Sequence, residues 1–450
     1  MSDFLSNNPI TRFVKEVVGP AAIMAAGMIG AGAVSTRLLA GAWFGFDLLW
    51  VALVVIPMVI FCNDSASRIG NITGRGMMEM IKTEITPALA WFMFVPTFLL
   101  NIVVNMGQMS VMVAGTYGIF GQEIPKGGAI TPGVIITTVL LTAITLLIVL
   151  FGGFKRLVKV MTGLLMLILV CFIVVAIKGL VEWQTWVGLL KGLIPNIPSN
   201  VPVLGSSGVE RNSFTQLMGI AGQALPAAVF LSFGYFTSNA EYTASDIKAT
   251  FRKNIINFGW IWGAFSVVVV VAGATALHNF YTSNVFVEGK ITHFSQVVEI
   301  FDAGKVIAPA LPAGLKLLAP TIFSLGLLVA GFTTLVSVAM LMVYFCLDIV
   351  GKNWKYTPDN NLFRWSLALW IAVPALISPF WQLEALYKNI LAMAGNLILT
   401  PIAIIILLFF INKSKYVKEH TASLPRNFIL VITMLFALFV TIYKGFQMFG

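Results

Sequence analysis

Gly27-Met28-Ile29-Gly30-Ala31-Gly32 sets three glycines into six residues near the middle of a long apolar run. A glycine inside a helix costs about 1 kcal/mol relative to alanine, so three together favour unwinding. A second apolar run, 220–236, carries the same kind of defect: Gly222, Pro226 and Gly234 fall within it and Gly219 just before it. Pro226 also removes a backbone donor from the helix interior. Reading outward from the two breaks, they lie in the first and sixth apolar runs of the chain, the opening members of two five-run halves. Interrupted spans in corresponding positions point to a transporter built from inverted repeats, with its substrate site at mid-membrane between the unwound segments; the alternative is that the glycines serve close helix packing and the proline is simply tolerated.

The composition agrees with a membrane setting. Of 450 residues, 58% are hydrophobic and 10% charged, whereas a soluble domain carries about 25% charged residues. Runs such as 134–151, 397–411 and 428–443 match the ~20 apolar residues that cross a bilayer as a helix. Soluble, fibrous, disordered and outer-membrane-barrel classes are thereby excluded. The three cysteines, Cys62, Cys171 and Cys346, are far apart in apolar runs and suggest neither a disulfide framework nor a zinc site. The net charge of +10 needs no nucleic-acid partner, because basic residues gather in the cytoplasmic loops of membrane proteins.

Eleven helices are predicted, near 18–37, 43–63, 87–117, 131–151, 157–178, 214–240, 255–278, 315–347, 363–379, 384–411 and 426–446. Eighteen of the Lys and Arg residues then fall on the side of the N-terminus and ten on the other. That bias puts the N-terminus in the cytoplasm and makes the chain a multi-pass protein of the cell (inner or plasma) membrane. The first sixteen residues form a polar cytoplasmic segment with no cleavable signal after it. The expected divisions are 17–178 for the first five-helix repeat, 179–213 for an extracellular loop and 214–411 for the second repeat. A cytoplasmic loop and an eleventh helix occupy 412–450.

Several motifs then fall into a known order. Gly19-Pro20, the run Gly27 to Thr36, Ala40-Gly41-Ala42-Trp43-Phe44-Gly45-Phe46 and Leu48-Leu49-Trp50 resemble the opening of the NRAMP (natural resistance-associated macrophage protein) divalent-metal transporters. Ile72-Thr73-Gly74-Arg75-Gly76, Phe154-Lys155-Arg156-Leu157, Leu225-Pro226, Ala330-Gly331-Phe332-Thr333-Thr334 and Pro401 are similar to later motifs of that family, over residues 17–411. The resemblance implies an all-α polytopic membrane protein with the LeuT-type five-plus-five inverted repeat, helices one and six unwound, working by alternating access.

The departures from the family pattern bear on the substrate. Where the resemblance expects Asp-Pro-Gly-Asn, with its Asp and Asn as metal ligands, this chain has Gly30-Ala31-Gly32-Ala33. Met-Pro-His-Asn becomes Leu225-Pro226-Ala227-Ala228, and the proton-linked Asp and Glu of the third helix align with Asn105 and Gln108. A divalent cation must replace its water shell with oxygen, nitrogen or sulfur ligands. The chain offers it only neutral side chains and backbone carbonyls, such as those near Gly27 and Gly222. Small replacements also open a cavity onto helix N-termini, which suit anions. The expected substrate is therefore a small organic or anionic solute. The alternatives are a divalent cation of the Mg²⁺ or Mn²⁺ type with altered selectivity, a non-transporting sensor of the same fold, and, least favoured, a channel. A sensor would be expected to carry an appended signalling domain, and little follows the eleventh helix.

The expected substrate-binding set is Gly27, Gly30, Ala33, Asn105, Gln108, Gly222, Gln223, Leu225, Ala227, Ala228 and Asn396. Asn101, Asn105 and Gln108 share one face of the third helix, which lines a solute path or bonds to other helices. Ser232, Thr333, Thr334 and Asn396 are polar positions in apolar runs, for which helix bonding is the plainer reading. Arg37 is expected near the outer end of span one, where it attracts anions or, as the plainer reading, snorkels its head group to lipid. The cluster Glu241, Asp246, Lys248, Arg252 and Lys253 reads as a solvated cytoplasmic face. His278, His293 and His420 lack metal-ligand spacing. No phosphate loop or nucleophile elbow is present, so no cofactor, catalytic residue or resident metal is expected, and the only partners are membrane lipid and the solute or ion carried.

Overall fold

The first apolar run breaks where its glycines are. α1 (Pro20–Met28) opens on a proline, whose missing N–H would be unpaired there in any case, and is capped by Ile29. Gly30 is extended, with φ −90° and ψ −171°, and α2 (Ala31–Phe44) starts afresh from it. The two halves are bent by 47°. The computed structural model describes residues 19–125, 129–151, 183–205, 208–296, 313–357 and 359–449, with isolated positions at 170–181 and 303–308. The expected segment 1–16, the motif Phe154-Lys155-Arg156-Leu157, Cys171 and nearly all of the expected fifth helix, 157–178, lie outside these residues.

Two boundaries differ from expectation. The first span continues through Phe44 rather than ending at 37, and α3 runs Leu49–Thr73 rather than 43–63. The chain turns between them at Gly45, with φ 59°. Gly41 instead allows contact, since a Cβ there would lie 2.3 Å from the Val270 carbonyl. α3 ends at Gly74, in left-handed backbone, and α4 (Met77–Glu84) follows it. Asp348 accepts from the Glu79 N–H at 2.8 Å and from the Tyr235 hydroxyl, anchoring the start of α4.

α5 (Pro87–Ile119) and α6 (Pro132–Phe151) complete the described part of the first half. The second half opens with α7 (Ser213–Ala224) and α8 (Ala227–Asn239), separated by Leu225-Pro226. The next span joins α9 (Ile247–Asn254), a π-helical stretch Ile255–Trp262 and α10 (Gly263–Ala276). α11 (Ala319–Ile349) lies along α5, and α12 (Asn361–Ile377) packs on α6 and α11. The tenth span breaks as well, into α13 (Ala385–Asn396) and α14 (Thr400–Ile411), bent by 43°. α15 (Leu424–Phe449) closes the bundle against α14 and α3. Among the described residues, eight helices and two bent pairs are long and apolar enough to cross a membrane. Two antiparallel strand pairs, Val201–Pro202 with Glu210–Arg211 and Thr282–Val287 with Lys290–Ser295, sit in the loops flanking spans six and seven.

Not every charge lies in a loop or at a helix end. Arg37, Asp64, Lys388 and Arg426 are buried. Asp64 receives Arg68 at 2.9 Å and Arg426 at 2.5 Å. A buried acid held by two guanidinium groups fastens the start of α15 to α3, and losing one partner would strand a charge.

Candidate substrate cavity

The two breaks face each other across a cavity of about 50 Å³. At roughly 10–15 Å³ of such volume per water, that is room for three to five water molecules, or a solute or partly hydrated ion of similar bulk. The first break contributes Met24, Gly27, Met28, Gly30, Gly32 and Ala33, and the second contributes Gln223, Pro226, Ala228 and Val229. Asn101 and Val104 of α5, Thr334, Ser337, Val338 and Leu341 of α11, and Met393 and Asn396 of α13 close the walls. Among the described residues no acidic or basic side chain lines it.

Unwinding frees backbone groups, and side chains take most of the carbonyls. The Gly27 carbonyl accepts from the Thr334 hydroxyl at 2.8 Å, and Met28 accepts from the Gln223 amide at 2.5 Å. The Leu225 carbonyl accepts from the Thr400 hydroxyl at 2.5 Å. The carbonyl at Gly27, expected as a cation ligand, is thus already engaged. The amides are different. α2 and α8 both start at the cavity wall, and neither N-cap residue, Gly30 or Pro226, offers a side-chain acceptor. Of the first-turn N–H groups, those of Ala33 and Val229 turn back to the Gly30 and Pro226 carbonyls, and each helix start brings about half a positive charge to the cavity wall.

A full positive charge stands behind one wall. Arg37 is 0% exposed; its Nη1 donates to the Gln223 Oε1 at 2.6 Å and to the Thr36 hydroxyl at 3.3 Å. Its guanidinium lies 5.0 Å from the Trp262 ring centroid, and its Nε and Nη2 have no hydrogen-bond partner among the described residues. This corrects the expectation that Arg37 snorkels to lipid: α2 continues for seven residues beyond it, which keeps the side chain inside the bundle. Gln223 acts as a bridge, one end of its amide on Arg37 and the other on the unwound first span.

Of the residues expected at the site, Gly27, Gly30, Ala33, Gln223, Ala228 and Asn396 share this cavity. Gly222, Leu225 and Ala227 are buried beside it without lining it. At Gly222 a Cβ would come within 2.1 Å of the Met393 carbonyl, so this glycine sets the approach of α7 to α13. Asn105 and Gln108 face elsewhere: Asn105 donates to the Leu335 carbonyl at 3.4 Å, and Gln108 donates to the Asn389 Oδ1 at 2.7 Å. Their neighbour Asn101 takes the cavity position on that face. Ser232 and Thr333 bond within their own helices, to Val229 and Ala330. Met24, Met28, Met393 and Ser337 were not expected in the lining. Their apolar or helical context gave no signal, whereas Thr334 and Asn101 were visible as polar positions in apolar runs.

Residues 21–447 match the family profile described as natural resistance-associated macrophage protein-like. A protein of Yersinia pestis named "Divalent metal cation transporter MntH" is 24% identical over 333 residues, 74% of this chain and 72% of that one. Its namesake in Aeromonas hydrophila is 22% identical over 384 residues, 85% and 82% of the two chains. Among solved structures, an Eremococcus coleocola manganese transporter shares the fold with a TM-score of 0.69 at 14% identity, covering 97% of this chain and 87% of that one. MhsT in complex with L-phenylalanine superposes at 0.56 with 13% identity, over 92% and 98% of the two chains, as expected of an all-α bundle of the LeuT type. With the profile spanning nearly the whole chain and the two interrupted helices meeting at one cavity, this protein belongs to the Nramp family and is a multi-pass membrane transporter, not an enzyme.

Proposed function

We propose that this chain carries a small organic or anionic solute across the cell membrane by alternating access, with its N-terminus in the cytoplasm, a placement the Lys/Arg bias supports. The observation that carries the reading is the charge of the site. Among the described residues no acidic side chain lines the cavity, two uncapped helix N-termini open onto it, and Arg37 adds a buried positive charge through Gln223. A dication entering would meet positive potential and no counter-charge, which is costly inside a membrane. An anion such as a carboxylate would be favoured by the same field.

A second reading, a divalent cation, has its own support. The relatives are named for divalent metals or manganese, and the lining holds oxygens of Asn101, Asn396, Thr334 and Ser337 with thioethers of Met24, Met28 and Met393. Uptake into proteoliposomes, screening Mn²⁺ and Mg²⁺ against small carboxylates and amino acids, separates the two. The expected result is saturable uptake of a carboxylate or amino acid, reduced at least tenfold in Gln223→Ala. Saturable Mn²⁺ or Mg²⁺ uptake with no organic substrate would overturn the proposal.

A further inference from the structure

Lys388 is another cation buried in the bundle, and neither the cavity nor the bridge to Arg37 uses it. It lies one turn into α13 and is 4% exposed. Its Nζ donates to the Ser110 hydroxyl of α5 at 3.0 Å and to the Ser378 carbonyl at 3.4 Å, with the Trp381 ring centroid 5.8 Å away. All three partners are neutral. The helices packed against α13 are α7, α5 and α2. α7 and α5 carry no Asp, Glu, Lys, Arg or His, with Tyr117 the one titratable group, and α2 carries only Arg37. On its own element the titratable neighbours are Tyr387 and Glu384, and Glu384 faces Arg211 at 4.0 Å. A membrane-embedded lysine with neutral partners holds its charge at a cost and is suited to releasing it.

A row of polar residues runs from beside this lysine toward the cavity. The next residue, Asn389, donates to the Gly107 carbonyl at 3.0 Å and accepts from Gln108 at 2.7 Å. Gln108, Asn105 and Asn101 follow one face of α5, and Asn101 reaches the cavity. Gln108 Oε1 and Asn105 Oδ1 are buried acceptors without a partner among the described residues, as positions that hold water would be. α13 provides a second link, since Met393, about 7.5 Å further along its axis, lines the cavity.

We infer that Lys388 is the proton-binding site of this carrier, doing from span ten the work for which Asn105 and Gln108 have no acid. Its ammonium gives a proton to water in the Gln108–Asn101 strip, one N–H bond breaking as one O–H bond forms, and leaves a neutral amine. The amine takes the next proton from water on the other side once the bundle has rearranged. An anion in the cavity favours the ammonium, so solute and proton move together. That coupling rests on the solute reading above; the proton site itself does not.

The experiment has two arms on the full chain. The first labels lysine Nζ with ¹⁵N in lipid nanodiscs, where ammonium and amine are distinguished, and Lys388→Arg identifies its resonance by removing it. A Lys388 resonance that passes between ammonium and amine across the pH range of transport is expected; one that stays ammonium throughout overturns the proposal. The second arm follows labelled succinate, glutamate and lactate in proteoliposomes with acid outside. Wild type is expected to respond to the proton gradient. Lys388→Gln and Lys388→Arg both fall to the rate without a gradient, yet keep solute-for-solute exchange. Gradient stimulation retained in Lys388→Arg would mark a merely structural ammonium and overturn the assignment. If none of the three anions is carried, the resonance still decides the proton site, and the solute reading alone falls.

Discussion

Gly30 and Thr334 show how little room a single atom has at the first break. A Cβ on residue 30 would lie 1.4 Å from the Thr334 Oγ1, which itself holds the Gly27 carbonyl. Gly30→Ala is expected to lower stability by about 1–3 kcal/mol, as overpacking does, and to shift the melting temperature in detergent downward. Adding Thr334→Ala should recover part of that loss, because it removes the clashing hydroxyl. The glycine was legible in the sequence as a weak point of a helix. Its neighbour was not, because Thr334 comes from 304 positions further along the chain and only the fold brings the two together. Arg37 was misread for a related reason: its partner Gln223 is separated from it by 186 positions, and without that partner a lone arginine in an apolar run reads as a snorkelling one.

At the scale of elements, the breaks in spans one and six could be read from glycine and proline, and the break in span ten could not. Residues 397–399 contain neither, and Pro401 falls at the second position of α14, inside the helix that follows, where its missing N–H would be unpaired in any case. That third break has a structural consequence. It places Thr400 where its hydroxyl satisfies the Leu225 carbonyl freed by the second break, so one interruption closes the hydrogen bonding of another. Thr400→Val keeps the volume and removes the donor. It is expected to cost about 1–3 kcal/mol, the penalty of orphaning a buried acceptor, while Thr400→Ser remains near wild type. Thermal unfolding of the two variants in the same detergent checks the difference.

Across the whole molecule, the low charge content that marked a membrane protein also locates its few important charges. Those inside are either paired, as Asp64 with Arg68 and Arg426, or left with neutral partners, as Arg37 and Lys388. At the bundle end, Glu84 receives Lys415, Arg75 and Tyr416, and these hydrogen bonds, that from Lys415 foremost, pull its carboxyl down to about 2. An acid lowered on folding stabilises above its ordinary value and loses that contribution only as pH falls through the lowered one. The difference in melting temperature between wild type and Glu84→Gln should therefore hold constant from about pH 6 to pH 8 and shrink only in strong acid. The membrane class and the paired breaks were legible because they depend on local composition. The electrostatics of the site were not, since they follow from which neutral and charged groups the bundle sets side by side. The claim that the site repels dications is tested most directly by calorimetric titration of the purified chain with Mn²⁺. Expected is no heat of binding at micromolar concentrations; micromolar Mn²⁺ binding that is abolished by substitution at Gly30 or Ala33 would contradict it.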